Sequence, residues 1–229
     1  LSGRTVVCLF ILEPERLELD DVDPIHIQWE LDCAVDLSAT LRRLGADLHF
    51  AVGDAVSILD DIDRKHGIDR LLSHEETGNS WSFGRDKRVL RWCRGREIEW
   101  LEYPHNGVVR RLGSRDDWKR HRDKRMRESL SDAPLFSKSV PFNGPIPRLE
   151  DLGLRPRDLK MRPAPGEEAA FQKLQSFLHH DGKEYRRAIS SPTLSVKHGS
   201  GLSPYFSSGS LSMKRAVQET TSRIKWINE

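Results

Sequence analysis

The run TVVCLFILEP, residues 5–14, is apolar and rich in β-branched residues until it meets a glutamate and a proline. A strand of that composition has to be covered on both faces, which is the condition inside a parallel sheet flanked by helices. Helical spacing of apolar residues follows over IQWELDCAVDLSATLRRL, Ile27–Leu44, and Gly45 stops it. ADLHFAVG then reads as a second strand, Asp54 as the cap of a helix over AVSILDDIDRKHG, IDRLLSHE as a third strand, GRDKRVLRWCRG as a further helix and EIEWLEY as a fourth strand. Strands alternating with helices of this length form βαβ units. The expected fold class is therefore α/β, a Rossmann-like doubly wound and mostly parallel sheet. Such a sheet has its first strand at the centre, and no strand pattern precedes Thr5. The expectation is a sheet whose first central strand is missing.

A helix is expected over Asp116–Leu130, and beyond it the character changes. Pro134, Pro141, Pro145, Pro147, Pro156, Pro163 and Pro165 follow within 35 residues or so. Proline at that density excludes both a regular helix and a central strand, and a loop so long marks a boundary between domains. EEAAFQKLQSFLHH, with acids at its start and histidines at its end, suits a helix dipole. A last amphipathic helix is expected over Met213–Ile227, with Ser210 or Ser212 as its cap. The expected organisation is an α/β domain over 1–130, a proline-rich connector over 131–165, and the beginning of an all-α domain over 166–229. Opening at Leu1 just before a strand and closing at Glu229 without a cap, the chain reads as the middle of a longer protein.

Composition bounds the function. With 37% hydrophobic and 31% charged residues the profile is that of a soluble globular protein, and its longest apolar run cannot cross a bilayer. Membrane partners are thus not expected. Cys8, Cys33 and Cys93 are widely spaced among apolar neighbours, which suits packed, reduced thiols and a cytoplasmic location. The net charge of +2 hides a crowd of cations, Arg115, Lys119, Arg120, Arg122, Lys124, Arg125 and Arg127, against Asp116, Asp117 and Asp123. That segment is a solvated helix face or, in the sharper reading, a nucleic-acid contact.

Several motifs carry little. Ser200 in HGSGL lacks the G-x-S-x-G order of a nucleophile elbow, and no histidine or aspartate follows it. His179 and His180 are adjacent, so on a helix they diverge by about 100° and do not share an ion. No metal-ligand spacing is present, and no catalytic residue can be named. SHEETGNSW follows the third strand, where open α/β sheets place ligands, so His74, Glu75, Glu76 and Asn79 are either a crevice edge or an acidic surface loop. GSGLSPYFSSGSLSMK, residues 199–214, is a serine-glycine turn between helices or an anion-binding loop. In the second reading Gly199 and Gly201 let backbone approach a ligand, Ser200 and Ser203 add hydroxyls, and Pro204 opens a helix.

Taken in order, VVCLFILEPE, LRRLGADLHFAVGD, RLLSHEETGNSWSFGRDKRVLRWC, VVRRLGSRDDW, PGEEAAFQKLQSFL and GLSPYFSSGSLSMK resemble the photolyase/cryptochrome family over Thr5–Ile227. The resemblance implies an α/β domain that can hold a light-harvesting antenna chromophore, of unspecified type here, joined by a linker to a helical FAD domain. It implies that Ser200, Leu202 and Ser203, with Gly199 before them and Gly201 among them, form the loop that wraps the FAD diphosphate, and that Tyr185 is the tyrosine preceding it. Family loops begin with threonine and carry arginine or lysine in the middle, where this chain has Gly199 and Gly201. For the complete protein the resemblance implies a blue-light-driven deoxyribodipyrimidine photolyase acting on UV-damaged DNA. Its alternatives are a cryptochrome-type photoreceptor that signals through a partner without repair, or an inactive fragment of either. This chain alone is expected to be inactive. Trp81, Trp92, Trp100, Trp118 and Trp226 are not expected to form an electron relay, and those of the α/β half are expected to be core or interface side chains.

Overall fold

A computed structural model describes residues 3–105, 107–142, 144–157 and 162–229. Part of the expected connector lies outside the described residues. In chain order the elements are β1 (Cys8–Leu12), α1 (Pro14–Leu17), α2 (Pro24–Arg43), β2 (Leu48–Val52), α3 (Ala55–His66), β3 (Arg70–His74), α4 (Ser80–Gly95), β4 (Glu99–Tyr103) and α5 (Trp118–Arg127). Then come α6 (Glu167–His179), three short helices α7 (Tyr185–Ala188), α8 (Leu194–His198) and α9 (Ser203–Ser207), and α10 (Met213–Asn228).

The chain forms two compact units. One gathers the residues up to Asp23 with Leu41–Arg122 and Pro134–Ile146; the other gathers Pro24–Thr40, Asp123–Ala133 and Pro147–Glu229. Both units are therefore assembled from three stretches of sequence.

The first unit is α/β with parallel strands. β1 pairs with β2, Cys8 opposite Leu48 through Leu12 opposite Val52, and β3 pairs with β4, Arg70 opposite Glu99 through His74 opposite Tyr103. The two ladders are not hydrogen-bonded to each other. They nevertheless share one core: Leu9 and Ile11 of β1, Leu71 of β3 and Trp100 of β4 pack with Ala55 and Leu59 of α3 and Val89 and Cys93 of α4. On the opposite face of the first ladder Phe10 stacks on Phe50, its register partner, with ring centroids 5.0 Å apart.

The helices start where their caps dictate. Asp54 accepts the Ser57 N–H at 2.9 Å and opens α3. Asn79 accepts the Ser82 N–H at 3.1 Å, so α4 begins four residues before the GRDKRVLRWCRG expected from periodicity. Gly45 ends its helix at φ 89°, where an added Cβ would lie 2.7 Å from the Phe136 carbonyl oxygen. Within the proline-rich stretch the described residues form only a single bridge, Val6 to Ser139, and a 3₁₀ turn over Leu149–Leu152. The indole N–H groups of the first unit are anchored: Trp81 to Glu15, Trp92 to Asp60, Trp100 to Ser73 and Trp118 to the Gly107 carbonyl.

The second unit is helical. Its core joins Ala170 and Leu174 of α6, Leu202, Tyr205 and Leu211 around α9, and Ala216 of α10, with Trp29 of α2 packed against them. The Trp29 ring meets Tyr205 edge-on at 5.4 Å and donates its N–H to the Pro204 carbonyl at 3.1 Å. The Tyr205 hydroxyl donates in turn to the Ala164 carbonyl at 2.9 Å. No helix among the described residues is long and apolar enough to cross a membrane.

Candidate functional site

The stretch 199–214 divides into two halves of different character. In the second half every serine is used internally. Ser207 donates to the Pro204 carbonyl, Ser208 and Ser210 bond each other at 2.9 Å, and Ser212 accepts the Arg215 N–H and opens α10. Ser212, not Ser210, is the cap. In the first half the hydroxyls of Ser200 and Ser203, and the backbone N–H groups of Ser200, Gly201 and Leu202, have no partner among the described residues. Donors left unmade in a folded loop are available to an anion.

The loop is held rigidly on either side of those donors. Gly199 donates to the Ser195 carbonyl at 2.7 Å, and an added Cβ would lie only 2.6 Å from that same oxygen. Gly201 sits at φ 62°, a left-handed conformation that glycine adopts without strain. Leu202 is buried in the helical core, and Pro204 lies in the first turn of α9 with its carbonyl fixed by Trp29. The chain thus turns its apolar residue inward and its hydroxyls outward. Such a cradle of glycines and free donors fits a diphosphate.

A second layer supports it. Asp181 accepts from the Ser176 hydroxyl at 2.9 Å and from the Lys173 ammonium at 3.3 Å, while its carbonyl accepts the His198 Nδ1–H at 3.1 Å. The Ser176 hydroxyl, with the Lys173 charge in support, holds the Asp181 carboxyl below the usual aspartate range. Tyr185 is exposed on α7, its ring edge-on to Phe177 of α6 at 5.5 Å. Tyr185 and Gly199–Ser203 stand out in the sequence; Lys173 and Asp181 do not, because a lone lysine and a lone aspartate on helical turns carry no motif.

The other candidates have structural employment. Glu76 accepts the Thr77 and Gly78 N–H groups and pairs with Arg85 at 2.8 Å, Glu75 pairs with Arg110 at 3.4 Å, and Asn79 caps α4. His74 lies against His105, ring centroids 5.1 Å apart, at the carboxyl ends of β3 and β4. Glu13, which the sequence did not single out, is the buried charge of this unit. It accepts the first N–H of α3 from Ala55 at 3.2 Å and has Arg85 and Arg88 each at 3.6 Å, and burial still raises its pKa. His179 and His180 stand 6.5 Å apart and exposed, and no group of three metal-ligating side chains occurs among the described residues.

The family model for DNA photolyase matches residues 1–114, and a curated relative agrees with it. Residues 1–114 belong to the DNA photolyase family. Among its relatives, a deoxyribodipyrimidine photo-lyase of Thermus thermophilus is 42% identical over 107 residues, spanning 44% of this chain and 23% of that protein. Three solved members of the photolyase/cryptochrome family share the fold. The Synechocystis cryptochrome superposes with TM-score 0.79 at 15% identity, covering 98% of this chain and 51% of its own. A class III photolyase of Agrobacterium tumefaciens gives 0.70 at 19% identity, covering 96% and 52%, and an archaeal photolyase of Sulfolobus tokodaii, solved with two FAD molecules, gives 0.70 at 17%, covering 97% and 50%. The chain spans about half the length of these photolyase and cryptochrome structures.

Proposed function

We propose that this chain contributes the phosphate-binding part of an FAD site, and that the protein is a light-driven photolyase whose substrate is a pyrimidine dimer in UV-damaged DNA. The observation that carries the FAD reading is the split of the serine-rich stretch, with Ser200 and Ser203 free and Ser207, Ser208, Ser210 and Ser212 used internally. Repair, rather than photoreception, rests on the likeness to the Thermus thermophilus enzyme.

Bound FAD supplies the light absorption and the electron for splitting the dimer. The chain's own residues orient it. The Ser200 and Ser203 hydroxyls and the N–H groups of Ser200–Leu202 hold the diphosphate, Leu202 and Tyr205 anchor the loop to the core, and Tyr185 borders the site. With this reading go an antenna chromophore in the α/β unit, DNA held mainly through its phosphates, and a cytoplasmic location in which the three cysteines stay free thiols.

The test is a titration of the chain with FAD, followed by quenching of flavin fluorescence. Binding that weakens by about tenfold in the double variant Ser200→Ala, Ser203→Ala supports the loop. Equal binding by both proteins removes the loop from the site. A cyclobutane-dimer repair assay on the full-length protein under blue light then separates photolyase from photoreceptor: repaired dimers are the expected result, and their absence with FAD bound leaves the photoreceptor.

A further inference from the structure

Gly201 puts no side chain into the middle of the loop, yet the space beside it is not empty. A Cβ built at Gly201 would meet the Lys173 Cε at 3.2 Å. The lysine stem of α6 therefore runs against the point where the loop's central side chain would emerge. Its ammonium is held there by Asp181 at 3.3 Å, and that carboxylate is itself fixed by Ser176. The same Asp181 residue receives the imidazole of His198, one residue before Gly199. One aspartate thus ties the lysine and the start of the loop together.

We propose that Lys173, a residue outside the loop, is the cation that neutralises the diphosphate held by Gly199–Ser203. This rests on the phosphate-loop reading above and names the charge it needs. Three features support it. An ammonium has three donors and Asp181 takes one, so two remain for phosphate oxygens. The Lys173–Asp181 pair is about one-third exposed on both sides, so it is a weak, solvent-screened pair that can share its cation. Finally, any side chain at position 201 would compete with Lys173 for one space, so the glycine and the lysine are a matched choice.

The experiment uses the full chain and inorganic pyrophosphate, with FAD in parallel, read by calorimetry and by the NMR shift of the Lys173 ε-carbon. Wild type and Lys173→Arg are expected to bind, and Lys173→Met to lose about ten- to a hundredfold, the worth of a charge-assisted contact. Lys197→Met, which deletes a cation from exposed α8, is the charge-matched control and is expected to change affinity less than about twofold. Thermal melts of all four proteins show whether a loss of binding is a loss of fold; unfolding of Lys173→Met alone passes the decision to the ε-carbon shift in wild type. Pyrophosphate binding that is equal in wild type and Lys173→Met, or that leaves the ε-carbon unmoved, overturns the role of Lys173 while the loop stands. Absence of binding to wild type overturns the loop reading and this proposal with it.

Discussion

Glu13 sits where β1 meets the start of α3, and it shows what a single carboxylate costs when the chain closes over it. Its side chain is 5% exposed, and the Ala55 N–H and two guanidiniums at 3.6 Å do not offset the lost hydration, so its pKa lies above the ordinary glutamate value. The sign follows from linkage. An acid with a raised folded pKa stabilises the fold below its unfolded pKa, about 4.3, and loses that contribution as pH rises through the folded value. Glu13→Gln keeps an acceptor for Ala55 without the charge. Urea titrations at pH 4 to 7 are expected to show the variant gaining on wild type as pH rises, and parallel curves would contradict this. A second residue with a sharp expectation is Gly199. Alanine there meets the Ser195 carbonyl at 2.6 Å, and relief requires a backbone shift worth about 1–3 kcal/mol. A fall in the thermal midpoint together with weaker pyrophosphate binding is the expected pair of results.

At the scale of elements, the two ladders of the α/β unit each keep one inner edge. In a parallel ladder a residue turns its N–H and C=O to the same side, and alternate residues turn to opposite sides. The Leu12 carbonyl accepts from Gly53, so even-numbered residues of β1 face β2 and Leu9 and Ile11 face the free edge. Glu75 donates to Tyr103, so odd-numbered residues of the third strand face β4 and Leu72 and His74 face the free edge. Hydrogen exchange is expected to be fast at Leu9, Ile11, Leu72 and His74 and slow at Phe10, Leu12 and Leu71; uniform protection along each strand would show the edges covered. The reading of sequence succeeded where the determinants are local. Asp54, Gly45 and Ser212 set helix ends through atoms a few residues away, and alternating strands and helices announced the parallel class. It fell short where a side chain is placed by distant partners: nothing near Trp29 reveals that its N–H reaches the Pro204 carbonyl, 175 residues on, and nothing near Lys173 reveals Gly201.

At the scale of the molecule, both units draw on early and late sequence. The helical unit takes in Pro24–Thr40, whose Trp29 packs on its core and whose Ile27, Leu31 and Ala34 are buried, although periodicity alone groups that stretch with the α/β elements around it. Deleting Pro147–Glu229 is therefore expected to do more than remove a domain. The stretch Pro24–Thr40 loses the residues it packs among, and the shortened protein should bind a hydrophobic dye and aggregate where the full chain does not. A shortened protein that stays monomeric with the helix protected would show that α2 needs no late partner. The interleaving also sets a timetable for synthesis. Thr40 leaves the ribosome roughly a hundred residues ahead of Pro147, a wait on the order of ten seconds at ordinary translation rates. For that interval the nascent chain carries an amphipathic helix whose apolar stripe has nothing to close on, and its birth in the cell depends on what shelters that stripe until α6 and α9 arrive.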